Sequence, residues 1–192
     1  MVPLHVRRVQ SEEKPTSVGA EQLSALLEDE QQPFHGALCV HVADSTYSAV
    51  SYLGQVVGHR HLVCVTRVAE NRVFYRPFLA EHKDGKHGHP QWYGTPFALK
   101  DPATWGPPEG TAETTFTTKQ GCTYRVQLQG WHNLVRRGKR GLPMHCYPFT
   151  LLCAVVLDEQ GQPVYKRALW LIVPGERRGE VSLVACLLYT SP

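Results

Sequence analysis

Residues 37–53, ALCVHVADSTYSAVSYL, decide how the rest of the chain is read. Leu38, Cys39, Val40 and Val42 form an apolar, β-branched run that halts at a single acid, Asp44. Ser45 and Thr46 supply a small polar turn, and Tyr47, Val50, Tyr52 and Leu53 then recur at helical spacing. The stretch predicts a buried strand, a carboxylate at its carboxyl end, and a helix that starts at once. Ligands and metals collect at that end of the strands in open α/β sheets. An aspartate there carries the hard oxygens that a cation such as Mg2+ prefers. An aspartate in this position also serves as a helix cap, accepting backbone N–H groups. Both roles stay open on the sequence.

Outward from this stretch, His61 to Arg67 is almost continuously apolar, as a parallel strand covered on both faces should be. Strand, helix and strand with short links make a βαβ unit. Upstream, Val18 to Glu30 carries one apolar stripe (Leu23, Leu26, Leu27) and predicts a helix capped by Thr16 or Ser17. Val2, Leu4, Val6 and Val9 alternate weakly and suggest a strand over residues 2–9. From Asn71 the grammar changes. Pro and Gly recur, and short β-prone runs stand at Val73–Arg76, Thr114–Thr118, Thr123–Gln129 and Phe149–Leu157. This reads as an antiparallel β-rich insertion with long loops, among them HKDGKHGHPQW at 82–92. DEQGQP, 158–163, reads as a hairpin turn between the strands Leu151–Leu157 and Val164–Val173.

The bulk numbers bound the class. The chain has 192 residues, 42% hydrophobic and 19% charged, which describes a globular polypeptide of one domain, or of one domain with a sizeable insertion. Its formal charge of +3 permits nucleic-acid binding without arguing for it. The six cysteines form no C-x-x-C pair, and Cys39, Cys64 and Cys153 stand in apolar runs, so a reducing compartment is expected. No apolar run reaches the roughly 18 residues of a membrane span, and no signal peptide opens the chain. These features point to a soluble, cytoplasmic protein.

Three pieces of sequence carry a family resemblance. VADSTYSAVSYL followed by HLVCVTRVAENRVFYRP resembles the second catalytic Asp of insertion-sequence transposases of the DDE class, with its helix, the next strand and the opening of a β-rich insertion. PLHVRRVQSEEKPTSVGAEQLSALL is similar to the strand and helix before that Asp, and YKRALWLIVPGERRGEVSL to the strand leading towards the catalytic Glu. The resemblance implies an α/β fold with a partial ribonuclease-H-like mixed sheet and helices, interrupted by the antiparallel insertion. It divides the chain into a core over 1–70, an insertion over 71–162, a return strand over 163–184 and a non-native tail over 185–192. It implies metal-dependent DNA cleavage and strand transfer, with Mg2+ or Mn2+ as cofactor and Asp44 as catalytic residue and metal ligand. Transposon ends and target DNA are the implied partners, with the whole protein a candidate dimer on DNA in a prokaryotic nucleoid. The family's other Asp and its Glu have no counterpart here: the first belongs before Met1, the second after Leu183. An internal fragment, inactive by itself, is therefore the expectation. The alternative is a non-catalytic nucleic-acid-binding module.

The candidate DNA contacts are cationic and aromatic. WHNLVRRGKRGLP, 131–143, packs Arg136, Arg137, Lys139 and Arg140 around two glycines, with Trp131 available to stack on a base. A solvated hairpin tip is the plain alternative. Arg67, Arg72 and Arg76 fall just past strand ends and are further phosphate partners or ordinary surface charge. Among the histidines only His82 and His87 have zinc-like spacing, with no second pair, which argues against a metal cluster. His145 and Cys146 are adjacent, so in a strand they would face opposite ways and make no dyad. Glu176 and Glu180, in the charged turn PGERRGE, are expected to face solvent.

Overall fold

The computed structural model describes residues 7–78, 92–182 and 184. Helix α1 spans Pro15–Glu28 and α2 spans Val50–Val56. The strands are β1 (Cys39–Ala43), β2 (Leu62–Val68), β3 (Val73–Pro77), β4 (Tyr93–Ala98), β5 (Gly110–Thr117), β6 (Thr123–Leu134), β7 (Phe149–Leu157) and β8 (Leu169–Pro174). Six of them form one mixed sheet in the order β1-β2-β8-β7-β6-β5, while β3 and β4 pair separately. β1 and β2 are parallel, in register from Cys39↔Leu62 to Ala43↔Thr66, with α2 between them as the βαβ reading expects. The remaining neighbours in the sheet are antiparallel.

Alternation along the strands sorts the core into two layers. Leu62, Cys64, Val68, Phe149, Leu151, Trp170 and Ile172 face a layer shared with α1, α2 and the β3–β4 pair. Val63, Val65, Val126, Leu128, Leu152, Leu171 and Val173 face the opposite side, where Val181 and Val184 fold back onto them. Cys64 and Cys153 are buried, and burial pushes their thiols up to about 12 and about 11. They fill space as small hydrophobes.

The structure adds detail to these expectations and changes some of them. β1 is an edge strand among the described residues: it pairs in parallel with one side of β2, whose other side pairs antiparallel with β8. The stretch 71–162, set apart by composition, supplies β3 to β7, and β5, β6 and β7 hydrogen-bond into the same sheet as β1 and β2 by way of β8. β4 is a strand that local sequence does not announce, since Gly94 and Pro96 suggest a loop; a two-stranded ribbon with an irregularity between Tyr75 and Pro77 tolerates both. Helix α1 starts earlier than expected, after Lys14, which makes no side-chain cap; Thr16 and Ser17 lie inside it, because Pro15 opens the helix, where its missing N–H costs nothing. Of the strand expected over 2–9, residues 2–6 lie outside the described residues and 7–9 are not in a strand. Most of the 82–92 loop and the whole 185–192 tail also lie outside them.

Candidate active site and nucleic-acid interface

Asp44 stands one residue past β1, exposed, with extended backbone (φ −72°, ψ −175°). Its Oδ1 accepts the Thr46 N–H at 2.8 Å and so caps the 3-10 turn Ser45–Ser48 that leads into α2. Ser48 Oγ closes that turn by donating to Ser45 O at 2.7 Å. The capping role is therefore real, and it occupies one oxygen of the carboxylate. His41, Tyr47 and Tyr52 pack together nearby, with ring centroids 4.9 Å apart for the two tyrosines and 5.8 Å for His41 and Tyr52. Burial lowers the proton affinity of His41 and raises the pKa of the Tyr52 phenol, which favours the neutral form of both side chains. One step beyond the Ala43↔Thr66 pair, Asp44 and Arg67 top adjacent parallel strands. Arg67 is exposed and joins no ion pair among the described residues.

The basic run is an anchored hairpin. Val135 and Tyr75 exchange backbone hydrogen bonds of 2.9 Å each, which ties its start to β3. Arg136 Nη1 donates to Ser48 O at 2.6 Å, linking the run to the turn that Asp44 opens. Burial, and next the charge of Arg72, lower the Arg136 pKa to about 10, so it keeps its proton at neutral pH. Lys139 and Leu142 pair across a tip made by Arg140 and Gly141, whose φ is +79°. Leu142 packs on Gly54 of α2, and Met144 is buried in the core. Arg137 lies over the rings of Tyr75 and Tyr93, 5.0 and 5.8 Å from their centroids. Arg137, Lys139 and Arg140 are exposed, so the hairpin shows three cations on a fixed backbone.

Two expected contacts need correction. Trp131 is 1% exposed and packs edge-on against Phe97 at 5.2 Å, beside Trp105 and Trp170, so it has no face free for a base. Arg76 is committed to the fold: it pairs with Glu109 at 2.7 Å, donates to Trp105 O at 3.0 Å and lies over Phe97. Arg72 remains exposed in the turn between β2 and β3. An exposed aromatic of this region is Trp92, 49% accessible and stacked on His145 at 4.0 Å. Its signal in the sequence is a lone Trp closing a polar loop. Glu176 and Glu180 are exposed, and they follow β8 at the end of the sheet where β2 begins, opposite Asp44. His59 bonds Ser24 Oγ at 2.8 Å and His61 contacts Arg177 at 3.2 Å, each in a structural role. His82, His87 and His89 lie outside the described residues.

The fold and these groups define an α/β protein with an acid at a strand end and cations tied to the adjoining turn. The chain belongs to a family described as DDE superfamily endonuclease, whose model matches residues 2–131 and so includes Asp44. This is a DDE-class, transposase-like nuclease domain. No curated protein and no solved structure matches the chain. Endonucleases of this superfamily act on DNA and are generally dependent on divalent metal. Mg2+ needs several oxygen ligands held together. Among the described residues no group of three His, Cys, Asp or Glu side chains is placed to hold a metal ion. Asp44 offers one carboxylate, and the described residues do not by themselves fit a metal centre. No described helix is long and apolar enough to cross a membrane.

Proposed function

We propose that this chain serves DNA strand cleavage and strand transfer at insertion-sequence ends, as part of a ribonuclease-H-like catalytic domain in which Asp44 is one of the metal-binding carboxylates. The observation that carries this reading is the position of Asp44: exposed at the carboxyl end of a strand, with one oxygen in the cap, in a chain of the DDE superfamily. Arg67, Arg72, Arg137, Lys139 and Arg140 are the exposed cations that meet DNA phosphates in this proposal, with Arg136 holding the hairpin to the Asp44 turn. Mg2+ or Mn2+ is the cofactor that the family chemistry calls for, and carboxylates beyond the described set must complete its site.

A second reading, a nucleic-acid-binding module without catalysis, is favoured by the contrast between three exposed cations on one hairpin and a single carboxylate at the strand end. One experiment separates the two. Nicking of supercoiled plasmid in Mn2+ is measured for the protein and for its Asp44→Asn form, alongside DNA affinity. The enzyme reading expects nicking to vanish in Asp44→Asn while DNA affinity holds. Nicking at an undiminished rate in that variant sinks the assignment of Asp44. Tight binding that ignores metal, with no nicking in either form, selects the module. In both readings, alanine at Arg137, Lys139 and Arg140 lowers the salt slope of duplex binding by about 0.9 for each phosphate that these side chains neutralise.

A further inference from the structure

At the other end of the strands from Asp44, the chain after β8 folds back over the sheet. Gly175 makes this possible: its φ is +139°, and a Cβ there would stand 2.6 Å from Leu62 O and 3.0 Å from Val63 Cα. The reversal brings Arg178 over the end of β6. There the ladder between β6 and β7 shifts register between Trp131 and Leu134, and Asn133 takes a left-handed backbone (φ +55°). Bulges of this kind redirect side chains and recur beside functional sites. Here the irregularity lets both His132 and Asn133 line one cleft, with Thr150, Val173, Glu176, Arg178 and Val181. The cleft has a volume of about 570 Å³, within the usual range of small-ligand sites.

Its hydrogen-bond donors are in excess. Arg178 gives Nη1 to Gly175 O at 3.1 Å and Nη2 to Asn133 Oδ1 at 2.8 Å, both neutral acceptors. A guanidinium has five N–H groups, so three remain. No carboxylate lies within ion-pair distance of Arg178 among the described residues, and burial works against its charge. With its oxygen held by Arg178, Asn133 turns its NH2 group away as a donor. His132 bonds Thr150 Oγ1 through Nδ1 at 3.0 Å, leaving Nε2 unused by that bond. The one acid of the lining, Glu176, is exposed and acts on Arg177. An unpaired, part-buried arginine flanked by an amide and an imidazole is suited to a tetrahedral oxyanion, which a guanidinium can grip with paired N–H groups. Val173 and Val181 add an apolar wall of the kind a sugar or base can rest on.

We propose that this cleft is a phosphate-ester site built on Arg178, Asn133 and His132, distinct from the Asp44 end of the sheet. The ester is either a backbone phosphodiester of DNA or the phosphate of a free nucleotide. The site rests on its own geometry and does not depend on the catalytic role of Asp44.

The test follows the ring resonances of His132 by NMR while inorganic phosphate, thymidine monophosphate and a short DNA duplex are added separately. Each ligand is tried on the unchanged protein, on Arg178→Gln and on Asn133→Gly. The glycine variant suits the left-handed backbone, so it removes the amide without straining the bulge. The site expects a saturable shift with inorganic phosphate, weakened roughly tenfold or more in Arg178→Gln and less in Asn133→Gly, as befits losing a charged and a neutral donor. Alanine at Arg137, Lys139 and Arg140 leaves the phosphate titration unchanged, which keeps this result separate from hairpin binding. Tighter binding of the duplex than of the mononucleotide marks a backbone seat, and the reverse marks a nucleotide site. No saturable shift with any of the three, or equal shifts in Arg178→Gln, overturns the proposal.

Discussion

One oxygen of Asp44 holds the Thr46 amide, so this side chain contributes to the fold whatever else it does. Charge and cap can be separated by substitution. Asparagine caps about as well as aspartate, whereas alanine in place of a cap costs about 0.5–2 kcal/mol. Urea denaturation should therefore show Asp44→Ala less stable by about that amount, with Asp44→Asn close to the parent. Equal losses in both would mean that the carboxylate charge, not the cap, stabilises the turn. At this scale Asp44 was legible because an acid between an apolar run and a helical pattern has few places to go. Trp131 was not. Next to four cations in sequence it reads as an exposed base-stacker, and its partners Phe97, Trp105 and Trp170 are remote along the chain. Arg76 was equally opaque, since Glu109 reaches it only across the fold.

The basic hairpin shows what an element can do that its charges alone cannot. Gly138 sits so close to the returning strand that a Cβ would collide with Leu142 O, and would come within 2.7 Å of Met144 N and 3.0 Å of Pro143 Cα. These are backbone atoms, which cannot swing aside. Gly138→Ala should destabilise the protein by about 1–3 kcal/mol, the usual range for forced overpacking. It should also weaken DNA binding although every cation is retained. Binding that survives the substitution at full strength would show that charge density alone, without a fixed hairpin, holds the DNA. Elements with local signals were readable: β7 begins and ends where its apolar run does, and the β1–α2–β2 order follows from the strand-turn-helix grammar. The β4 strand and the anchoring of 135–144 rest on interactions with distant residues, to which local propensity is blind.

At the scale of the molecule, the change of composition at Asn71 is plain in the sequence, but it does not break the sheet. Thr66 pairs with Ile172 across more than half the chain, so β2 is joined to β7 and β6 only through β8, which the sequence marks off as a separate return strand. Such pairings are set by tertiary packing, and periodicity does not announce them. The order of strands has a further consequence. β8 lies between β2 and β7, while β1 has β2 on one side and no described strand on the other. In deuterated solvent the amides of β7 and β8 should be replaced last, and the outward amides of β1 among the first of the sheet, because local opening is cheapest where a ladder has one flank. Equal protection across the sheet would refute that gradient. The acid of the proposed active site is thus carried by one of the two margins of the described sheet, and its hydrogen atoms keep the record.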